Sequence, residues 1–295
     1  MRIALHAGVH GTDNDILLNL LLRNGPQLQA QHVAAPHSSK YRKSLREIMI
    51  KMSRHKPSPE ARDILLDLIL ENEGDDIEHV ILSNSNFFGA PKESFQNNLM
   101  YPSALTHLAK FNYLFAPDQV ELFIAIKNPI THVADMFAAS SCETIEELLN
   151  GSDLTALHWY PLVKTLRTQL PDMKITLWCN EDMPFLLRQI LTAFGNLPLD
   201  HPIEGEYSVF ETLLSETGKQ RFGTYIAAHP NITPKQKQKV MFAFADRFPN
   251  LERSEQEIDI PNVTQDLIEE ITDLYDSDVE DILSLEGVRV LLPGA

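Results

Sequence analysis

The stretch Arg2-Ile-Ala-Leu-His-Ala7, followed by Gly8-Val-His-Gly-Thr-Asp-Asn-Asp15 and then Ile16-Leu-Leu-Asn-Leu-Leu-Leu-Arg23, decides the reading of this chain. A short apolar run that stops at glycines predicts a buried strand. The polar loop with Gly8 and Gly11 leads into a helix over Asp15–Asn24, with Asp and Asn where helix caps prefer them. Three more short apolar runs read as strands: Glu78–Ser83, Val120–Ile126 and Met173–Trp178. Helical patterns lie between them. Ser58–Glu71 has Ser58 as N-cap and Pro59 in the first turn. Thr131–Ala139 follows the third strand, and Pro184–Gly195 follows the fourth with Gly195 as C-cap. Strands alternating with helices imply parallel pairing through right-handed crossovers. The expected fold is therefore α/β, a three-layer sandwich around a central parallel sheet. Ligands of such sheets bind beyond the carboxyl ends of the strands. That marks His6–Asp15, Ser83–Gly89, Lys127–Asp135 and Cys179–Pro184 as the candidate site.

The second half is less regular. Thr264 is expected to cap a helix running to about Tyr275, and Ser277-Asp-Val-Glu280 fits a capping box for a last helix over Asp278–Leu285. Residues 205–260 are helical in places, with Thr233-Pro234 opening one segment. With no repeat or low-complexity linker, the reading is one domain over 1–295, of which 200–295 is a mostly helical extension. Composition sets further bounds. The chain has 295 residues, 43% of them hydrophobic, which suffices for a sizeable core. It carries 25 Lys and Arg against 41 Asp and Glu, a formal −16. That argues against general nucleic-acid binding, which needs a cationic face. Residues 251–295 alone hold 13 acids and two bases. Two cysteines, Cys142 and Cys179, cannot build a disulfide framework or a paired-cysteine zinc site. Neither a secretory leader nor a membrane span is expected, so a cytoplasmic location is the default.

Strand, tight loop and helix N-terminus together can cradle a phosphate on backbone N–H groups. Gly8, Gly11 and Thr12 suit such a loop, but it has no lysine and so no GxxxxGK[ST] pattern. The same residues also suit an ordinary helix start, where acids favour the dipole. Lys127, at the end of the third strand, is placed to meet an anion, with Asp135 two helical turns on as its partner when no ligand is bound. His6 and His10 with Asp13 or Asp15 match no metal-ligand spacing, so no metal is assigned. Residues 36–60 carry Lys40, Arg42, Lys43, Arg46, Lys51, Arg54 and Lys56 against two acids. They read either as a flap contacting an anion or acceptor or as a solvated helix face.

These segments resemble, in order, the P-loop sulfotransferases, particularly bacterial sulfotransferase-like proteins. His6-Ala-Gly-Val-His-Gly-Thr12 is similar to the phosphosulfate loop H-x-G-x-H-K-T-G-T-T. Tyr41-Arg-Lys-Ser-Leu-Arg46 is similar to the tyrosine-arginine segment after the first helix, and Ile81-Leu-Ser-Asn-Ser-Asn-Phe87 to the strand ending in S-S-E. Phe123-Ile-Ala-Ile-Lys-Asn-Pro129 resembles the strand before the 3′-phosphate motif R-x-P, with its Ser eight residues later. Leu177-Trp-Cys-Asn-Glu-Asp-Met-Pro184 and Leu285-Glu-Gly-Val-Arg-Val-Leu-Leu-Pro293 also fall in order. The resemblance implies a P-loop NTPase/sulfotransferase-like fold and transfer of a sulfo group from phosphoadenylyl sulfate (PAPS) to a hydroxyl-bearing small molecule or glycan. It implies a cofactor site at Gly8, His10, Gly11, Thr12, Asn14, Lys127 and Asp135. It also implies a base for the acceptor hydroxyl proton at His10 in the loop or at His107, which lies twenty positions before Lys127, close to where cytosolic sulfotransferases keep a His. It leaves a homo-oligomer open.

The departures fall on the working positions. The loop lysine is replaced by Gly11, the following G-T-T by Asp13-Asn14-Asp15, the arginine by Lys127, its serine by Asp135, and the acid of S-S-E by Ser85. An anionic cofactor needs converging cations. Like charges about 4 Å apart cost on the order of 1 kcal/mol in water and several where partly buried. PAPS binding is therefore expected to be weak or lost. Two functions follow: a sulfotransferase with a strongly altered donor site, or a non-catalytic protein on the same fold with a binding or assembly role.

Overall fold

A computed structural model describes residues 1–295 apart from 72, 74, 75, 199, 252–259, 261, 262 and 295. The first half runs β1 (Arg2–His6), α1 (Ile16–Arg23), α2 (Gly25–Gln29), β2 (Val33–Ala34), α3 (Arg42–Lys51), α4 (Ala61–Leu70) and β3 (His79–Ser83). Next come the short strands β4 (Phe95–Gln96) and β5 (Leu99–Met100), then α5 (Ala104–Leu114), β6 (Gln119–Ile126), α6 (Pro129–Ala139), α7 (Ile145–Leu149) and α8 (Tyr160–Gln169). The chain closes with β7 (Lys174–Cys179), α9 (Met183–Gly195), α10 (Ser208–Glu211), α11 (Glu216–Ala228), α12 (Pro234–Arg247), α13 (Gln265–Leu283) and β8 (Val288–Leu291).

The main sheet is six-stranded and parallel, in the order β2-β3-β1-β6-β7-β8. β4 and β5 form a separate antiparallel pair. Side chains alternate across each strand, so each face of the sheet builds its own core. Ile3 and Leu5 of β1 join Tyr41, Leu45, Leu108, Val133, Trp159 and Ile282 beneath α3–α8 and α13. Ala4 joins Leu17, Leu21, Phe123, Trp178 and Leu186 beneath α1, α2 and α9. Both faces are thus covered, as parallel sheets require, and each fully buried Leu, Ile or Phe contributes about 1.5–3 kcal/mol. A third cluster, Phe210, Leu214, Phe222 and Met241, holds α10–α12 together.

The structure departs from the sequence reading in five places. α4 begins at Ala61 with Glu60 as its N-cap, so Ser58 does not cap it. The sheet has six strands rather than four, because β2 and β8 occupy its edges. β8 lies within 200–295, so that segment adds a sheet strand to its helices. α13 is one continuous helix of 19 residues, capped by Thr264 through the Leu267 N–H. Ser277-Asp-Val-Glu280 therefore caps nothing. Asp278 is buried instead, and its carboxylate accepts the Trp159 N–H at 2.5 Å and the Tyr160 N–H at 3.0 Å. Finally, Gly195 is the last helical residue of α9, and Asn196 takes the left-handed turn at φ 52°. The helical reading of residues 205–260 and the acidic C-terminal run both include 252–259, which lie outside the described residues. Among the described residues, no helix is long and apolar enough to cross a membrane.

Candidate functional site

The site sits where the connections diverge. The chain leaves β1 toward β2 by way of α1 and α2 on one face, and leaves β6 toward β7 by way of α6–α8 on the other. Between these neighbouring strands the loops part, which is the switch point where open α/β sheets bind ligands. The loop after β1 does not arch freely over that gap. It continues the ladder to β6: Ala7 N–H donates to Phe123 O at 3.0 Å, Val9 N–H to Ala125 O at 3.3 Å, and Ala125 N–H to Gly8 O at 2.7 Å. Both glycines are required here. Gly8 has φ +91°, and a Cβ on it would lie 3.1 Å from Ser85 Cα. Gly11 has φ +71°, and a Cβ on it would lie 2.6 Å from Asp135 Oδ2. Thr12, buried, spends its hydroxyl on Val9 O at 2.6 Å. Asn14 is exposed.

The N-terminus of α1 is filled from within the loop. Ile16 N–H donates to Asp13 O at 2.8 Å, and Leu17 N–H to Asp13 Oδ2 at 3.3 Å. The Asp13 carboxylate, buried at 3% exposure, thus stands where an anionic ligand would bind. Asp15, in the left-handed region at φ 62°, turns its carboxylate to Arg42 in a two-pronged contact of 2.9 and 2.5 Å. That guanidinium holds the Asp15 carboxyl below the usual carboxylate range, and Asp15 in turn raises Arg42. Arg42 also donates through Nε to Ser83 O at 2.8 Å, at the carboxyl end of β3. Tyr41 brackets the same residue, donating to Ser83 O at 2.8 Å and accepting its N–H at 2.9 Å. Burial pushes the Tyr41 phenol up to about 12. His6, fully buried, meets Ser83 Oγ through Nδ1 at 2.9 Å, and burial lowers its pKa.

On the β6 side, Lys127 pairs with Asp135 as the spacing suggested. The backbone around it is fixed from three directions. Trp159 Nε1–H donates to Lys127 O at 2.7 Å. Asn128 N–H donates to Glu181 Oε1 at 2.9 Å, and Tyr275 Oη–H to Glu181 Oε2 at 3.2 Å. Asn128 also caps α6 through the Ile130 N–H, with Pro129 supplying the first turn. Asp135, paired with Lys127, stands directly against Gly11.

His10 is 5% exposed and points away from solvent. Its Nδ1 meets Tyr101 Oη at 2.9 Å, its backbone N–H donates to the same oxygen at 3.3 Å, and Tyr101 Oη also meets His132 Nε2 at 3.2 Å. One phenolic proton serves two imidazoles. If Tyr101 donates to His10, then His132 must donate to Tyr101, and the reverse holds equally. In either arrangement His10 Nε2 and His132 Nδ1 are buried and meet no hydrogen-bond partner by geometry among the described residues. Burial lowers both histidines and raises Tyr101, so all three stay neutral. Trp159 packs on the rings of Tyr101 and His132 at centroid distances of 6.1 and 5.3 Å. His107 does not join this group. Its Nδ1–H donates to Phe87 O at 2.8 Å and its ring meets Phe87 edge-on, which anchors the loop after β3.

Gly8, His10, Gly11, Thr12, Lys127 and Asp135 therefore converge at one place, with Asn14 at its rim and His107 apart. Tyr101, His132 and Trp159 are members that sequence reasoning missed. The available signal was His132, a lone imidazole among the apolar positions Ile130, Val133 and Met136 of α6. Among the described residues, no three His, Cys, Asp or Glu side chains group as metal ligands. No protein-family model, curated protein or solved structure matches this chain. Its chemistry is thus read from the site alone. Arg42 and Lys127 are paired with Asp15 and Asp135. The Thr12 hydroxyl is engaged and the His10 imidazole is sequestered, while the buried Asp13 carboxylate caps α1 through Oδ2 and leaves Oδ1 without a hydrogen-bond partner among the described residues.

Proposed function

We propose that this chain is a P-loop, sulfotransferase-like protein whose donor site is held shut by its own carboxylates, and that it works by binding or assembly rather than by moving a sulfo group. The sulfotransferase-like assignment is supported by the meeting of the segments 6–12, 41–46, 81–87 and 123–129 at the carboxyl ends of β1, β3 and β6. The observation that carries the non-catalytic reading is Asp13. Its carboxylate takes the α1 N–H group that an anionic donor would need, and Asp135 closes the neighbouring space at Gly11. His10 as a base has no lone pair facing solvent. A transition state that spreads charge over oxygens would meet Arg42 and Lys127 only after each gives up its carboxylate partner.

One observation favours the second reading, sulfo transfer from PAPS to a hydroxyl acceptor through an altered site. Arg42 and Lys127 lie at either end of the loop, each held by a single carboxylate. A ligand able to displace Asp15 and Asp135 would meet two cations. An assay with labelled PAPS and pooled hydroxyl acceptors separates the two. The non-catalytic reading expects no transfer. Turnover abolished by His10→Ala or Lys127→Ala would establish the enzyme.

A further inference from the structure

The amino-terminal end of the sheet carries a second polar region, built from different rules. α9 covers its face of the sheet only as far as Gly195, where Asn196 turns the chain away. Ala4, Phe123, Trp178 and Leu291 lie beneath the helices of that face. Two residues earlier on each strand the same face presents Arg2, Glu121, Thr176 and Arg289, because side chains alternate with period two. Lys174 lies one further step toward the amino end of β7. These residues line an open groove of about 520 Å³, with Asn196 and Gly287 at its rim. A parallel sheet is ordinarily covered on both faces. Here the uncovered end is polar at each of these positions.

The floor of the groove is internally satisfied. Glu121, 5% exposed, pairs with Arg2 and accepts from Thr176 Oγ1 at 3.3 Å. The two remaining cations are different. Lys174 and Arg289 form no ion pair with any described residue, and both are exposed. Thr176 stands opposite Arg289 in the β7–β8 register. Lys174 and Arg289 are therefore one strand and one two-residue step apart, roughly 8 Å between Cβ atoms from sheet spacing and strand rise. Two long side chains at that separation can close on a single tetrahedral oxyanion. Arg supplies a planar fork and Lys a mobile point charge. The groove holds three cations against one carboxylate, in a chain of formal charge −16.

We propose that this groove binds a small phosphorylated molecule, with its dianionic phosphate between Lys174 and Arg289 and its polar body toward the amide of Asn196. Nothing in this assignment depends on the state of the carboxyl-end site. Calorimetric titration of the full chain with glycerol 3-phosphate tests it. The expected result is saturation at one site, weakened about fivefold or more by Lys174→Gln or by Arg289→Gln, lost in the double variant, and unchanged by Lys127→Gln. Both groove side chains are exposed, so circular dichroism should show the variants folded. Absence of saturation, or saturation indifferent to Lys174 and Arg289, would overturn the proposal. So would equally strong binding of acetate, which a two-cation site should disfavour.

Discussion

The two ends of one sheet handle charge in opposite ways. At the carboxyl end, Asp15 pairs with Arg42 and Asp135 pairs with Lys127, so both cations are taken, and Asp13 caps α1. At the amino end, Lys174 and Arg289 face an open groove with no acid assigned to them among the described residues. Position on an α/β fold favours the first as a ligand site, whereas unpaired charge favours the second. The lesson is that location nominates a site, while residual valence decides what it can still hold.

Acid is the strongest way to break the comparison. Burial keeps His6, His10 and His132 neutral in the folded chain, below their ordinary value of 6.5. The unfolded chain binds more protons below that value, so stability is complete above pH 6.5 and falls as pH drops through it. His79, at the amino end of β3, is pushed down to about 4 by burial and by the charge of Arg2. It alone should cost on the order of 2 kcal/mol at about pH 5. Asp15 acts in a lower window: its depressed pKa preserves its contribution above the ordinary carboxylate value and loses it only as pH falls below that. Urea midpoints measured from neutral pH downward should therefore fall steadily well before carboxylates titrate. A flat profile to about pH 5 would remove the buried-histidine explanation of the carboxyl end.

A smaller effect is expected from Tyr101→Phe. It deletes the shared hydroxyl and leaves the His10 N–H and two imidazole nitrogens buried without partners. Each such group costs about 1–3 kcal/mol, so the variant should lose about 3 kcal/mol or more in urea unfolding. A loss below about 0.5 kcal/mol would mean that the hydroxyl is not the hub of the cluster. The smallest effect belongs to Ser277→Ala. Ser277 is exposed inside α13, so replacement should change stability by less than about 0.5 kcal/mol. A loss near 1 kcal/mol would restore Ser277 as a helix cap.

The central strands were legible because β1, β3, β6 and β7 are continuous apolar runs buried on both faces. β2 has only two residues, and β8 alternates through Arg289, so neither edge strand carries that signal. The long α13 was masked by a local rule. Ser277-Asp278-Val-Glu280 has the composition of a cap, but Asp278 serves the Trp159 and Tyr160 N–H groups of a helix more than 100 residues away. The loop 8–15 and Lys127 announced themselves through glycines and charge at strand ends. Tyr101 did not, since a single tyrosine in a polar segment gives no hint that three hydrogen-bonding groups converge on it. The amino-end groove was equally silent, because it exists only through the register of four strands and the early exit of α9.

Calorimetry of the full chain with adenosine 3′,5′-bisphosphate tests most directly whether carboxylates close the carboxyl-end site. The wild-type chain should show no micromolar binding, and Asp13→Asn combined with Asp135→Asn should raise affinity about tenfold or more by freeing Lys127 and removing two negative charges. Micromolar binding by the wild-type chain, abolished by Lys127→Ala and insensitive to Lys174→Gln, would contradict closure and identify a working donor site.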